Sequence, residues 1–405
     1  MSSFLWFVLV SCLSVAGVVW AQPFTVVHVT EQQTQGINRI QYVVQSGNNP
    51  LNRFGVERVV WAGSLAPVFT TPMILVPALS NSARLFTLGN APGGVDFGRS
   101  MAANLARGGL DLFIYSPRET FLVPGQCANQ ADCAVAADWG LRAFLNDLAF
   151  IRGLVTDAHP HRRPIIGGYS LGGMVALAAV NEFPDAYAGV VLGDSTLWIT
   201  DPGLRAGYAI ACQGLNDAIV TGQVLDDQLA PLAQLIVQLA LTAPQDPSPL
   251  PLFPPGTTNR QAYLLFFSTP QPGPPASLFP VGTVLIAGSV VEDRFFFASE
   301  NRLNSQVSSF NFYVANATVR DVMCSFAGDP TFVDNLASYT RPILAFELGL
   351  GFGELANDVI ALTSSSDVKI RPHPNFGHAD LLTTPIYGLL FELQILEWIY
   401  TDVLF

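Results

Sequence analysis

The sequence predicts an α/β domain in which a mostly parallel sheet carries helices on both faces and is interrupted by a large insertion. Short β-branched or aromatic runs alternate with helical patterns along most of the chain, which is typical of parallel sheets covered by helices. The alternation fails between about residues 195 and 339 and then resumes. The 405 residues are enough for one large domain with a substantial buried core.

The predicted elements follow one another in the order that such a sheet requires. Residues 24–30 and 38–45 are expected to open the sheet as an antiparallel pair. The later strands are short buried runs, predicted at 72–76, 110–115, 164–166, 188–192, 342–346 and 368–370. Helices are predicted at 95–107, 134–156 and 171–183, and a last apolar helix has Thr384 as a possible cap and Pro385 at its first position.

The irregular region divides the predicted domain into parts. It contains a helix near 231–242 and a proline-rich passage from Pro244 to Pro280. Because the strands on either side are needed in one sheet, we interpret residues 195–339 as a cap inserted into a core made of residues 22–194 and 340–405. An independent second domain is the alternative.

Charge excludes one broad class of partner. Only 12% of the residues are charged and the net charge is −12, so the field of the protein repels phosphate backbones and anionic bilayers. We therefore expect no nucleic-acid partner. The mean hydropathy of +0.37 is high for a soluble protein.

The first 21 residues are predicted to be a signal peptide that is removed on export. An apolar run extends from Phe4 to Trp20. Val19-Trp20-Ala21, just before Gln22, offers small residues at the positions that signal peptidase recognises. A membrane anchor and a lipoprotein signal ending at Cys12 are the alternatives. Cleavage at Ala21 predicts a secreted or periplasmic protein with no membrane span.

Export makes the remaining cysteines candidates for disulfide bonds. Four remain after cleavage, an even number in an oxidising compartment, so two disulfides with three possible connectivities are expected. Cys127 with Cys133 would close a short loop, and Cys212 with Cys324 would then tie a long segment together. Zinc is the competing hypothesis, but no C-x-x-C or His-Cys cluster favours it, and we expect no metal.

The strongest functional motif is Gly168-Tyr169-Ser170-Leu171-Gly172. A serine on a sharp turn between a strand and a helix is exposed to substrate, and the turn closes only if the residues two before and two after it are small. An apolar strand precedes this motif and a helix follows it. The context favours Ser170 as a nucleophile over a simple glycine-rich turn.

A serine hydroxyl needs a neighbouring base, and His378 is the best candidate. It follows Gly377, which permits a close approach, and it comes after the last predicted strand. His373 stands between two prolines and is interpreted as a spacer. His28 lies in the opening strand pair, and His159 and His161 lie in a turn at the wrong end of a strand.

The order of elements, the motif around Ser170 and the late Gly377-His378-Ala379-Asp380 together resemble the α/β-hydrolase superfamily. The resemblance covers nearly the whole mature chain. It implies the fold of that family, a nucleophile that precedes the acid and the histidine, and a cap that enters after the strand following the nucleophile helix. It identifies a superfamily and no particular substrate.

The third catalytic residue departs from the family pattern. An acid is expected just beyond the strand 342–346, where the chain has Glu354 after a glycine run, with Glu347 and Asp358 on either side. Some lipases place the acid one strand earlier, where Asp194 stands in this chain. We hold Glu354 and Asp194 as competing candidates, with Glu354 slightly preferred.

Two backbone amides are candidates for binding the oxyanion that forms during acyl transfer. One is Leu171, directly after the nucleophile. The other is expected in the loop after strand 72–76, where many relatives have His-Gly before the donor. This chain has Pro77-Ala78 there, so Leu79 would donate.

These residues predict an exported serine hydrolase that cleaves carboxylic esters through an acyl-serine intermediate without a cofactor. The phenylalanine-rich cap suggests a small-molecule or lipid-like ester with a hydrophobic acyl or alcohol group. An amidase or peptidase with the same three residues is one alternative. A non-catalytic binding protein on the same scaffold is the other.

Overall fold

The computed structural model describes residues 24–63, 70–91, 94–268, 287, 290–291, 293–384 and 388–404. The predicted signal peptide and Pro385 lie outside the described residues. The strands are β1 (Phe24–Thr34), β2 (Ile37–Ser46), β3 (Arg53–Trp61), β4 (Thr71–Val76), β5 (Asn90–Ala91), β6 (Gly94–Val95), β7 (Leu110–Ser116), β8 (Ile165–Tyr169), β9 (Gly189–Gly193), β10 (Leu225–Asp226), β11 (Val290–Val291), β12 (Arg294–Phe295), β13 (Val314–Ala315), β14 (Ile343–Leu350) and β15 (Val368–Gly377).

Helices occupy most of the connections between these strands. They are α1 (Arg84–Thr87), α2 (Met101–Arg107), α3 (Leu141–Ala158), α4 (Leu171–Glu182), α5 (Pro202–Val220), α6 (Leu229–Thr242), α7 (Asn259–Ser268), α8 (Glu300–Ser308), α9 (Asn316–Ala327), α10 (Leu355–Ile360), α11 (Asp380–Thr383) and α12 (Leu393–Trp398). The described helices include none that is long and apolar enough to cross a bilayer.

The main sheet has nine strands in the order β1-β2-β3-β7-β4-β8-β9-β14-β15. The first three strands and β7 pair antiparallel, and the other pairs in this order are parallel. The predicted mostly parallel sheet and its opening antiparallel pair are therefore confirmed. The strand β3, which joins that pair to the parallel part, is not among the predicted strands.

Apolar side chains cover both faces of the sheet. One core cluster packs α3 and α4 against one face, and a second cluster packs α2 and α12 against the other. The strands β4, β7, β8 and β9 are buried at every residue, which is why they read as continuous apolar runs. Helices on both faces, as predicted, complete the three-layer α/β arrangement.

Two predicted helices begin later than expected. The helix predicted at 134–156 starts at Leu141, because residues 130–138 form 3₁₀ turns with a kink at Cys133. The helix predicted at 95–107 starts at Met101, because the Ser100 side chain accepts a hydrogen bond from the Ala103 amide and caps the helix there. Residues 97–99 before it form a 3₁₀ turn.

The described residues of the segment between β9 and β14 form the helices α5 to α9 and the short strand pairs β10-β13 and β11-β12. It has an apolar cluster of its own, which includes Tyr263, Phe267 and Phe295. The predicted helix near 231–242 is α6. The strands on either side of the segment, β9 and β14, pair in the main sheet, and its interpretation as a cap stays a prediction.

Both expected disulfides are present with the suggested pairing. Cys127 and Cys133 close a loop of the core. Cys212 in α5 and Cys324 in α9 join the first and the last helix of the inserted segment.

Candidate active site

The candidate residues lie at one edge of the sheet because they follow neighbouring parallel strands. Ser170 follows β8, Asp194 follows β9, and His378 follows β15. These strands are parallel, and β14 lies between β9 and β15. The carboxyl ends of parallel strands meet at one edge, where α/β folds commonly bind their ligands.

The turn around Ser170 has the strained conformation that the motif predicts. Ser170 has φ 56° and ψ −122° between β8 and α4, a region that residues other than glycine rarely adopt. A Cβ atom at Gly168 would lie 2.2 Å from the carbonyl carbon of Gly172, and one at Gly172 would lie 1.9 Å from the Val76 oxygen. The turn therefore requires both glycines.

Hydrogen bonds join this turn to the next one. The Ser170 amide donates to the Gly193 carbonyl at 2.9 Å. The Ser195 hydroxyl lies 2.8 Å from the Ser170 carbonyl oxygen and 2.9 Å from that of Gly193. Asp194, with φ 45°, lies between these bonded residues. The turn of the candidate nucleophile and the turn of the candidate acid are thus fixed relative to each other.

Asp194 and His378 are in direct contact. The Nδ1 atom of His378 lies 2.5 Å from Oδ2 of Asp194, and the two residues are only 7% and 1% exposed. A short contact to a buried carboxylate fixes the orientation of an imidazole and favours the tautomer protonated at Nδ1. The other ring nitrogen, Nε2, is then available as a base.

Backbone amides hold the Asp194 carboxylate. The amides of Leu348, Phe352 and Gly353 donate to Oδ1 at 3.1 to 3.3 Å, and the Phe352 amide also lies 3.1 Å from Oδ2. A Cβ atom at Gly351 would lie 2.0 Å from Oδ2. The glycine-rich run after β14 therefore wraps around the carboxylate and stabilises its charge.

Glu354, the slightly preferred candidate for the acid, does not occupy this position. It is exposed and directly precedes α10. Asp358 accepts a hydrogen bond from the Thr200 amide at 2.7 Å, and burial raises the pKa of Glu347. The preference is therefore corrected to Asp194. The glycine run before Glu354 permits close wrapping around Asp194.

Aromatic rings surround the imidazole of His378. The ring centroids of Tyr169 and Phe352 lie 5.4 and 5.3 Å from it. Asp380 accepts a hydrogen bond from the Gly377 amide at 2.7 Å, which fixes the turn before the histidine. The ring contacts thus position the His378 imidazole, and the bond to Asp380 fixes the backbone before it.

The other four histidines are placed elsewhere. His373 stacks on the ring of Phe376, and burial lowers its pKa. His28 and His161 are exposed. His159 is buried at the opposite edge of the sheet, with Nε2 2.8 Å from Asp111.

The two candidate oxyanion donors belong to adjacent loops. Leu171 is the first residue of α4, and Leu79 lies in the loop after β4. The contact between Gly172 and the Val76 carbonyl brings these loops together. Among the described residues, neither amide donates to another group of the chain. Free amides at a helix start can bind an anion.

Nothing in the described ranges forms a metal site. No group of three or more His, Cys, Asp or Glu side chains that could hold a metal ion is present there.

The residues that sequence reasoning missed are those that support the acid. The amides of Leu348, Phe352 and Gly353 carry no side-chain signature. The available signal was the spacing of Gly349, Gly351 and Gly353, because alternate glycines allow a backbone to curl around a buried group.

Comparison with known proteins identifies the fold. No protein-family model and no curated protein matches the sequence. Among solved structures, a provisionally assigned lipase from Sulfolobus solfataricus is similar with a TM-score of 0.64, 16% identity and coverage of 92% of this chain and 99% of that one. A thermostable carboxyl esterase from Bacillus coagulans, solved with glycerol, has a TM-score of 0.53, 12% identity and coverage of 92% and 100%. The chain has the fold of the α/β-hydrolase superfamily.

Proposed function

We propose that this protein is an exported serine hydrolase that cleaves carboxylic esters, with Ser170 as nucleophile, His378 as base and Asp194 as the acid that orients it. The contact between His378 and Asp194, at the edge where the strained Ser170 turn lies, carries the proposal. The similarity to proteins described as a lipase and a carboxyl esterase agrees with it.

The reaction begins when Oγ of Ser170 attacks the ester carbonyl carbon while Nε2 of His378 takes the hydroxyl proton. Asp194 stabilises the imidazolium through the bond from Nδ1. The amides of Leu171 and Leu79 stabilise the oxyanion of the tetrahedral intermediate. The carbon–oxygen bond to the alcohol then breaks, and His378 donates the proton to the departing alcohol.

The acyl-serine is released by water. His378 takes a proton from the water as its oxygen attacks the acyl carbon, and when the second tetrahedral intermediate collapses, the bond to Oγ of Ser170 breaks, His378 returns the proton to Oγ and the carboxylic acid leaves. All of the steps use side chains and amides of this chain.

We further propose that the ester carries a hydrophobic acyl or alcohol group. Phe266, Phe267 and Phe295 pack against one another inside the cap and do not bear on this preference. Phe297 of the cap packs against Phe376, two residues before His378, with ring centroids 4.7 Å apart. This pair is the support for an apolar group near the base.

Export is part of the proposal. The two disulfides agree with an oxidising compartment, because such bonds are rare in the cytosol. Mass analysis of the protein purified from its native host should find Gln22 as the first residue.

Covalent labelling with a fluorophosphonate, combined with hydrolysis of p-nitrophenyl esters, tests the activity. We expect one adduct per chain on Ser170, with no adduct in Ser170→Ala or His378→Ala. Faster turnover of an anilide than of the matched ester would favour an amidase instead. A folded protein that neither reacts nor hydrolyses would favour the non-catalytic binding protein.

A further inference from the structure

A short segment of the cap lies directly on the loop that carries Leu79. Residues 309–315, here called the strap, connect α8 to α9. Within the strap, the Asn311 amide donates to the Ser80 carbonyl at 2.6 Å, and its side-chain Nδ2 donates to the Asn81 carbonyl at 3.3 Å. Asn311 is 8% exposed, so these bonds form away from bulk water.

The loop that receives these bonds needs external support. Ser80 has φ 60° and is buried, and a left-handed conformation at a residue other than glycine costs roughly 1 kcal/mol or more. Such conformations persist only when surrounding contacts fix them. The side chain of Asn81 donates to the Leu79 carbonyl at 2.9 Å. Asn311 therefore fixes the position of Asn81, and Asn81 fixes the position of Leu79.

The strap is itself fixed by bonds to the core. The Tyr313 hydroxyl accepts a hydrogen bond from the Cys127 amide at 3.2 Å, inside the loop closed by the first disulfide. The Ala315 amide donates to the buried Glu119 carboxylate at 3.2 Å. A segment anchored to the core directly after Asn311 can transmit a fixed position to the Leu79 loop.

We propose that Asn311 is a positioning residue, supplied by the cap, that keeps the Leu79 amide aimed at the oxyanion. This inference rests on the proposed function, because it assigns a task within the same reaction. It implies that the cap takes part in transition-state stabilisation as well as in covering the site.

Asn311→Ala tests the inference, with Asn316→Ala as its matched control. Asn316 is also a buried asparagine, and its Nδ2 donates to the Gln223 carbonyl at 2.8 Å, away from the Leu79 loop. We expect Asn311→Ala to lower kcat by about 5–10-fold, as for the loss of one hydrogen bond that acts in the transition state. KM should change by less than about twofold. Affinity for a phenylboronic acid, whose adduct with Ser170 mimics the tetrahedral intermediate, should fall in parallel.

A second variant covers the case in which Asn311→Ala does not fold. Asn311→Asp keeps the size of the side chain and replaces the donor by an acceptor, so the same loss of kcat is expected. The double variant Asn81→Ala/Asn311→Ala should also lose less kcat than the product of the two single losses, because both side chains act through Leu79.

The outcomes separate this inference from the proposed function. Equal kcat values for folded Asn311 and Asn316 variants, with wild-type hydrolysis that depends on Ser170, would overturn the positioning role alone. A rise in KM with unchanged kcat in Asn311→Ala would also overturn the positioning role. Wild-type protein without Ser170-dependent hydrolysis would overturn the proposed function and this inference together.

Discussion

Two buried Asp–His pairs lie at opposite edges of the same sheet, and their surroundings differ. At the carboxyl edge, Asp194 meets His378 at 2.5 Å. At the amino edge, Asp111 meets His159 at 2.8 Å, and Arg58 also binds Asp111 through both Nε and Nη2.

The difference lies in what balances each carboxylate. Asp111 faces a guanidinium, which supplies a full positive charge and makes the pair a structural ion cluster. Asp194 faces three backbone amides, which orient it and stabilise it by partial charges, and within the described residues His378 is the one side chain that hydrogen-bonds its carboxylate. Proximity of Asp and His alone does not define a catalytic pair.

The sharpest test compares the two histidines. We expect His378→Ala, like Ser170→Ala, to lower kcat for an ester substrate by about 10⁴-fold or more, because both belong to one chemical unit. His159→Ala should leave kcat within about threefold and lower the unfolding free energy by roughly 2–4 kcal/mol, because it removes one partner of a buried cluster. Ester hydrolysis and urea unfolding measure the two effects. Comparable losses of kcat would refute the distinction.

The two aspartates should separate in the same way. Asp194→Asn is expected to lower kcat by about 10³–10⁴-fold while the protein remains folded, because the amide favours the wrong imidazole tautomer. Asp111→Asn should act on stability instead. Glu354→Gln serves as the control for the acid and should be nearly silent, since Glu354 is exposed. A severe loss in Glu354→Gln with a mild one in Asp194→Asn would restore the other candidate.

The loop around Asp194 can be disturbed without touching a charged residue. Gly351→Ala would place a methyl group against Oδ2, where the Cβ position is 2.0 Å away. We expect kcat to fall by about 10–100-fold, because small displacements of a catalytic group are costly. Gly153→Ala is the control, since a Cβ at Gly153 meets no atom within 4 Å. Unchanged kcat in Gly351→Ala would mean that the carboxylate position is not critical.

The smallest effect on activity is expected at Arg58. Arg58→Met removes the cation that balances Asp111 and should lower the unfolding free energy by about 1–3 kcal/mol, with kcat unchanged. Arg371→Met is the comparison, because its ion pair with Glu397 is largely exposed and should contribute little. Differential scanning fluorimetry of both variants measures the contrast. An equal shift in melting temperature would show that the Asp111 cluster is no more than a surface pair.

The parts of the fold that the sequence predicted are those with a local signature. Buried parallel strands are continuous apolar runs, and the small residues around Ser170 mark the turn because no larger side chain fits there. The strand β3 was missed because its polar residues, such as Glu57, pair across the sheet with Arg39 and do not alternate cleanly.

Asp194, the acid that we propose, ranked second in the sequence because its environment is non-local. Asp194 is bound by amides 154 to 159 positions further along the chain, and nothing in the residues near either carboxylate records this. The family pattern favoured the position after β14, where Glu354 stands. Position on neighbouring strands was therefore predictable, whereas the choice between two carboxylates needed three-dimensional contacts.

The bridge between Cys212 and Cys324 joins α5, which follows β9, to α9, which precedes β14, across 112 positions. The polypeptide between these cysteines can therefore differ in length and composition while α5 and α9 remain joined. Under the proposed function, we expect that exchange of this stretch alone would change the ester preference. A transplanted stretch would have to bring its own equivalent of Asn311.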